Sequence, residues 1–119
     1  LTRIPGDGNV DNHATATAGM AASTHSTQTG IAPGATLLSA NGTTYSDSNM
    51  SAAMDWAAIT QNVDIINNSW GGNTGNTNFN VHDRHLDYIV RYLWSTVTVA
   101  AGNEGNASGR VTSPGRGYN

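Results

Sequence analysis

The histidine at position 13 has a side chain and a setting suited to proton transfer. It follows Asp11 and Asn12, two residues that cap helices well, and it precedes an alanine-rich run that ends at Ser23. Imidazole titrates near neutral pH and is the commonest general base in proteins. His13 is therefore either a general base on a rigid element or, more simply, a surface histidine at a helix start. The rest of the chain has to distinguish between these two interpretations.

The element that must position this histidine is a predicted helix over Asp11–Ser23. Alanine has the highest helix propensity, and Asp11 or Asn12 can accept hydrogen bonds from the free N–H groups of the first turn. Four alanines at helical spacing and a central Gly19 leave this helix with small side chains only. We therefore expect it to be tightly buried against its neighbours.

Five further segments complete a regular alternation of helices and strands. Leu1–Val10 is glycine- and proline-rich and is expected to be a loop, and Asn106–Asn119 is expected to be irregular. Between them, apolar runs and helical periodicity predict, in order, the strand Ala35–Ala40, the helix Asn49–Gln61, the strand Val63–Asn68, the helix Val81–Trp94 and the strand Thr96–Ala101.

The two later helices each have one apolar face. Ser46 or Ser48 is expected to cap the first of them, whose inward positions are Met50, Met54, Ala57 and Ala58. In the second, Asp83 is expected to point away from the buried face, which comprises His82, Leu86, Ile89 and Leu93.

Short apolar strands that alternate with helices indicate parallel βαβ units, with helices covering both faces of the sheet. The predicted class is therefore α/β. Functional sites in such sheets gather where the carboxyl ends of the strands enter loops. Here those ends are Asn68–Gly71 and Ala101–Glu104, which carry polar side chains and glycines.

Composition excludes several classes of function. The formal net charge is −3, the five basic residues are all arginine, and no basic patch is present, so we expect no nucleic-acid partner. No apolar stretch is long enough to span a membrane, and we expect no membrane partner. The chain has no cysteine, which excludes thiolate metal sites and a thiol nucleophile.

A metal site is an alternative use of the third helix. His82 and His85 lie at i, i+3 spacing with Asp83 and Asp87 nearby. The simpler interpretation is that both histidines line the buried edge of the helix, and we predict no metal ligands. Gly102, Gly105 and Gly109 fit neither the dinucleotide nor the P-loop fingerprint.

Three blocks in fixed order resemble the subtilisin-like serine proteases, the subtilases. The segment 13–22, His-Ala-Thr-Ala-Thr-Ala-Gly-Met-Ala-Ala, is similar to the family's histidine block, and Gly30–Ala35 is similar to its Gly-Val-Ala-Pro turn. The third block pairs Asp64–Gly71 with Val97–Gly105, which resemble the family's Val-Ile-Asn-x-Ser-x-Gly and Ala-Ala-Gly-Asn segments. Ser113-Pro114-Gly115 resembles the proline loop that follows in the family.

The resemblance implies a three-layer subtilisin-like fold and assigns roles to residues. His13 matches the triad histidine, and Asn103 matches the asparagine whose side-chain N–H binds the oxyanion. The substrate-pairing segment corresponds to Ser69, Trp70 and Gly71, and the wall of the pocket for the residue before the scissile bond to Ala100, Ala101 and Gly102. Glycine at Gly71 and Gly102 permits the close backbone approach that such segments need.

The chain departs from the family pattern at the other two members of the triad. The family order is Asp, His, Ser, and these residues contain neither the aspartate block nor the Gly-Thr-Ser block. We therefore expect residues 1–119 to be part of a single catalytic domain, inactive alone, whose partners are a polypeptide substrate and the remainder of the domain that carries Asp and Ser. Ala14 and Ala16 replace a glycine and a histidine that do not transfer protons.

The expected activity of the intact protein is endopeptidase hydrolysis through an acyl-enzyme, with no required cofactor. The resemblance allows structural calcium, although no calcium loop is recognisable in the sequence. The absence of lysine and the high content of hydroxyl and amide side chains favour an extracellular, secreted protein. Two alternatives are a non-catalytic member or fragment that keeps the peptide-binding groove, and an unrelated parallel α/β binding domain.

Overall fold

The fold is known from a computed structural model, which describes residues 2–3, 11–40, 46–72, 78–103, 105–106 and 111–118. The chain divides into two compact units, Leu1–Thr44 and Tyr45–Asn119, and each is described by itself. The expectations for Leu1, for 4–10 and for Glu104 lie outside the described residues, as do those for parts of the loops and of the tail.

The first unit contains a short parallel sheet and one helix. β1 (Thr2–Arg3) pairs in parallel with β2 (Leu38–Ser39). The prediction of a loop over Leu1–Val10 is therefore wrong at Thr2–Arg3, where backbone pairing with β2 organises a segment that has no strand pattern of its own. The strand expected over Ala35–Ala40 is shortened to the two residues that find this partner.

Helix α1 (Asn12–Ala22) forms where the capping residues and alanines predict it. Asp11 is the N-cap, and its side chain accepts a hydrogen bond from the Ala14 N–H at 2.7 Å. The expected tight burial is not found, because no residue of α1 is buried. Gly19 in particular has no atom within 4 Å of the position that a Cβ would take.

The close contact to α1 is made instead by the turn after it. The N–H groups of Gly30, Ile31 and Ala32 donate to carbonyls of the last turn and cap, namely Ser23, Met20 and Ala21, at 2.8–3.0 Å. A Cβ on Gly30 would lie 2.5 Å from the Ser23 nitrogen. Gly30 is therefore the glycine that lets the chain pack closely on the end of this helix, and it satisfies carbonyls that would otherwise lack donors.

The second unit has the order α2, β3, α3, β4. The helices are α2 (Asp47–Asp55), which continues as a π-helical turn over Trp56–Thr60, and α3 (Val81–Tyr88), which continues as one over Ile89–Leu93. Asn62 and Trp94, which follow these turns, have positive φ values of 50° and 60°. Left-handed residues end helices because they redirect the backbone, so the helical segments stop close to the predicted ends.

The strands β3 (Ile65–Asn68) and β4 (Thr96–Val99) pair in parallel, with Ile65 opposite Thr96 and Asn68 opposite Val99. Burial alternates along β3: Ile66 and Asn68 are buried, whereas Ile65 and Asn67 are exposed. The strands were expected to be covered on both faces, but in this unit the helices and the core occupy one face. The α/β class is confirmed.

The core of this unit forms between the two helices and β3. Its buried apolar members are Met54, Ala57, Ala58, Ile66, Leu86 and Ile89, as the helical spacing predicted for the five helix positions. Ser46 caps α2 by accepting from the Asn49 N–H. The helical pattern is therefore reliable for apolar positions on both helices.

Asp83 is a correction to the predicted pattern, because its side chain is fully buried rather than directed outward. Its Oδ2 accepts from the Asn80 N–H at 2.8 Å, which completes a capping box with the Asn80 side chain. Its Oδ1 accepts from the Arg116 N–H at 3.2 Å. The N–H groups of Asn80 and Arg116 thus donate the hydrogen bonds that water would donate to an exposed carboxylate.

Candidate active site

The first candidate site residue, His13, lies in the first turn of α1. The Asp11 cap directs the chain into the helix immediately before it, and the His13 side chain is exposed. A helix holds such a side chain more rigidly than a loop does, because its backbone hydrogen bonds fix the direction of the Cα–Cβ bond. His13 and Asn103 belong to different units, and their convergence on one cleft remains a prediction.

In the second unit, the end of β3 is organised by its two asparagines. Asn67 donates from Nδ2 to the Ser69 hydroxyl at 2.7 Å and accepts from the Thr98 hydroxyl at 2.9 Å. Asn68 accepts from the indole N–H of Trp70 at 3.0 Å. These bonds fix Ser69 and Trp70 from the strand that precedes them, so the predicted substrate-pairing segment begins from a well-supported position.

The end of β4 turns sharply before the second candidate residue. The Ala100 N–H donates to the Asn68 carbonyl at 3.0 Å, which continues the ladder one residue past the strand. Gly102 follows with φ of 102°, a conformation that residues with a Cβ rarely adopt. The turn at Gly102 leaves Asn103 exposed at the carboxyl end of the sheet, where ligands bind in parallel α/β folds.

The segment 112–113 connects the two strand ends. Gly72 and Ser113 exchange backbone hydrogen bonds of 3.0 and 3.2 Å, and the Thr112 N–H donates to the Ala101 carbonyl at 3.1 Å. Thr112 and Ser113 are both buried. The substrate-pairing segment and the pocket-wall segment are therefore held together through 112–113. The sequence marks Ser113 by its resemblance to the family's proline loop, but it gives no role to Thr112.

The two glycines of the predicted site owe their close approach to this segment. A Cβ on Gly71 would lie 2.4 Å from the Thr112 hydroxyl oxygen, and one on Gly102 would lie 2.9 Å from the Thr112 Cγ2. The group that approaches both glycines is thus a side chain of the chain itself, and the approach of a substrate backbone there stays a prediction. The Thr112 hydroxyl is buried and has no hydrogen-bond partner among the residues described.

The histidines of α3 are held by carboxylates of α2. The Nε2 atom of His82 lies 2.9 Å from the Asp47 Oδ1, and that of His85 lies 2.7 Å from the Asp55 Oδ1. Within the described ranges, no group of three or more His, Asp or Glu side chains is arranged to hold a metal ion. These histidines therefore link two helices.

The comparisons with known proteins identify the family. The model of the Subtilase family matches residues 4–119, which is nearly the whole chain, so the chain belongs to the subtilase family of serine proteases. The family predicted from the sequence blocks is thereby confirmed, and the unrelated α/β binding domain is excluded. A search of curated proteins finds no match. Among the helices that the structure describes, none has both the length and the apolar character to cross a membrane.

Proposed function

We propose that this chain provides the general base and the oxyanion donor of a subtilisin-type serine endopeptidase. The observation that carries the proposal is the family match over residues 4–119, which includes both His13 and Asn103. The position of Asn103 after Gly102, beyond the carboxyl end of β4, supports it, because a side chain there is exposed at the edge of the sheet where ligands bind in parallel α/β folds.

In the proposed reaction, a serine hydroxyl attacks the carbonyl carbon of the scissile peptide bond while His13 accepts its proton. The carbonyl oxygen becomes an oxyanion, and the Asn103 side-chain N–H donates a hydrogen bond to it. His13 then returns the proton to the leaving amine, and water hydrolyses the acyl-enzyme by the same steps. The serine and the aspartate that orients His13 come from the remainder of the catalytic domain.

The two strand ends have the proposed role of holding the substrate. The backbone of Ser69, Trp70 and Gly71 pairs with an extended polypeptide, and Ala100, Ala101 and Gly102 form the wall of the pocket for the residue before the scissile bond. The hydrogen bonds from Asn67 and Asn68 to the Ser69 and Trp70 side chains support this role, because they fix the segment before substrate arrives. We also propose an extracellular location, which is usual in this family.

The test of the catalytic roles uses the protein that contains this chain together with the aspartate and serine segments. His13→Ala is expected to lower kcat about 10⁶-fold, and Asn103→Ala about 10²–10³-fold; both magnitudes are those measured for the equivalent groups in subtilisin. Asn106→Ala is the matched control, since Asn106 is exposed in the same loop. Unchanged activity in the His13 variant would contradict the assignment and favour a non-catalytic role for this chain.

The placement of the nucleophile is tested on the 119-residue chain itself. We expect that it cleaves no peptide and forms no covalent adduct with a fluorophosphonate, a reagent that phosphonylates activated serines with loss of fluoride. The measurement is the intact mass after incubation with the reagent. A mass increase of one adduct would show that the nucleophilic serine lies within these residues.

A further inference from the structure

Residues 112–116, which we call the bridging segment, join the two strand ends that have the proposed substrate roles. Ser113 exchanges backbone hydrogen bonds with Gly72, directly after the substrate-pairing segment. The Thr112 N–H donates to the carbonyl of Ala101, which belongs to the pocket wall. The position of the bridging segment therefore sets the spacing between the substrate-pairing segment and the pocket wall.

The bridging segment is anchored to the N-terminal cap of α3 through a side chain. The Ser113 hydroxyl donates to the Asn80 Oδ1 at 2.6 Å, and the same oxygen caps α3 by accepting backbone N–H groups of its first turn. Ser113 is buried, so water does not compete for this hydrogen bond. The cap of α3 thus has a second partner besides its own helix.

The other anchor is the buried carboxylate of Asp83. Its side chain has no exposed surface, and its two oxygens accept from the N–H groups of Asn80 at 2.8 Å and of Arg116 at 3.2 Å. A carboxylate removed from water is costly unless its oxygens have donors, and hydrogen bonds to a charged acceptor are stronger than neutral ones. Asp83 therefore fixes Arg116, at the far end of the bridging segment from Thr112.

Helix α3 is a firm support for these anchors because it packs on the core of the second unit. Leu86 is buried in that core, and Ile89, in the π-helical continuation, is fully buried. One turn beyond Asp83, the Asp87 Oδ1 accepts from the Tyr118 N–H at 2.8 Å and continues the attachment. The parts of a binding site must be held to within about 0.5 Å, and a packed helix provides such a reference.

We propose that Asp83 is a positioning residue for extended substrates, because it fixes the spacing between the substrate-pairing segment 69–71 and the pocket wall 100–102. This inference rests on the proposed function, which assigns those two segments to substrate. A polypeptide that occupies both segments gains from the second contact only if their spacing matches the spacing of its own residues. Asp83 acts through the bridging segment and touches no substrate.

The test compares a short and a long substrate in the protein that contains this chain together with the aspartate and serine segments. The short substrate is the N-acetyl ester of a single amino acid, which reaches the pocket wall alone. The long substrate carries three alanines before the same ester, and these pair with 69–71. In the unsubstituted protein we expect the long substrate to have the higher kcat/KM.

Asp83→Asn is expected to lower the ratio of the two kcat/KM values, long over short, about tenfold, which corresponds to one hydrogen bond to a charged group. An amide has a single acceptor oxygen for the two N–H groups of Asn80 and Arg116, so one anchor is lost. A general loss of stability would reduce the active fraction and lower both kcat/KM values alike. The ratio therefore distinguishes positioning from structural support.

Asp55→Asn is the matched control for this ratio. Asp55 also holds α3, through the contact of its Oδ1 with the His85 Nε2 at 2.7 Å, but it lies on α2 and makes this contact away from the bridging segment. We expect this variant to keep the ratio of the unsubstituted protein even where it lowers the thermal midpoint.

Ser113→Ala is a second, milder variant, which decides the matter if Asp83→Asn does not fold. It removes only the hydroxyl that bonds to Asn80 and leaves the backbone hydrogen bonds with Gly72 in place. We expect the ratio to fall about threefold, as for one neutral hydrogen bond. Circular dichroism checks that each variant is folded.

The outcomes separate this inference from the function on which it rests. An unchanged ratio in folded Asp83→Asn, or in Ser113→Ala where Asp83→Asn is unfolded, would overturn the positioning role and leave the proposed function intact. Equal kcat/KM for the two substrates in the unsubstituted protein would contradict the substrate-pairing role of 69–71 and overturn both. No ester hydrolysis by the unsubstituted protein would contradict the proposed function itself.

Discussion

At the scale of single residues, Thr112 decides the shape of the candidate site. Its side chain is buried against both Gly71 and Gly102, and its N–H holds the Ala101 carbonyl. No motif of chemical interest contains it, which is why sequence reasoning overlooked it. In the sequence the two glycines indicate room for a ligand, whereas in the structure their absent Cβ atoms make room for this threonine.

The neighbouring glycines at 71 and 72 offer a direct test of this contact. Gly71→Ala is expected to lower the free energy of unfolding by about 1–3 kcal/mol, because its Cβ would lie 2.4 Å from the Thr112 hydroxyl oxygen. Gly72→Ala serves as control, since no atom lies within 4 Å of its added Cβ. Urea denaturation measures both, and equal midpoints for the two variants would contradict the close contact.

At the scale of elements, the helices and the strands β3 and β4 follow local rules, whereas β1 does not. Capping residues, alanine content and apolar spacing place α1, α2 and α3 within a few residues of their observed positions. β1 and β2 contain two residues each and exist through mutual pairing, so nothing in the local sequence marks β1. The expected tight burial of α1 is not found, because small residues allow a close neighbour but do not determine where a neighbour lies.

Two glycines near α1 allow a prediction at this scale. Gly30→Ala is expected to destabilise the first unit by about 1–3 kcal/mol, since its Cβ would meet backbone nitrogens of Ser23 and Ala22 at 2.5 and 2.6 Å. Gly19→Ala is expected to stabilise α1 by about 0.5–1 kcal/mol, because its Cβ enters open space and alanine favours the helix. Amide hydrogen exchange of α1 measures both. The two variants are expected to change the stability of α1 in opposite directions. A destabilising effect of Gly19→Ala would show that this helix face has a close neighbour.

At the scale of the whole molecule, the second unit is held by one core and by contacts between distant segments. Ile89 is fully buried at the centre of that core, and the helices α2 and α3 are further linked by two histidine–aspartate contacts. Asp83 adds a link from α3 to Arg116. The carboxyl ends of β3 and β4 thus sit on a packed base, while the outer face of the sheet stays exposed.

Truncation of Ile89 tests how strongly the stability of the second unit depends on its core. Ile89→Ala is expected to lower the free energy of unfolding by about 2–5 kcal/mol, through lost burial and the cavity that remains. Ile59→Ala removes the same atoms from a side chain that is 58% exposed, and about 0.5 kcal/mol or less is expected. Guanidinium denaturation compares the two variants. Similar losses would indicate that Ile89 is not at the centre of the core.

The sequence by itself determined the family, the helices and the chemical types at the two strand ends. These depend on short motifs and on local energetics, such as the cap at Asp11 and the apolar spacing of α2 and α3. Tertiary structure alone decided the burial of Asp83, the contact of Thr112 with Gly71 and Gly102, and the partners of His82 and His85. Apart from the local capping box between Asn80 and Asp83, each of these depends on residues that are far apart in the chain or on different elements, and no local preference of the backbone encodes such a pairing. The position of His13 in the first turn of α1 follows from local rules, whereas its place beside the proposed reaction partners remains a prediction.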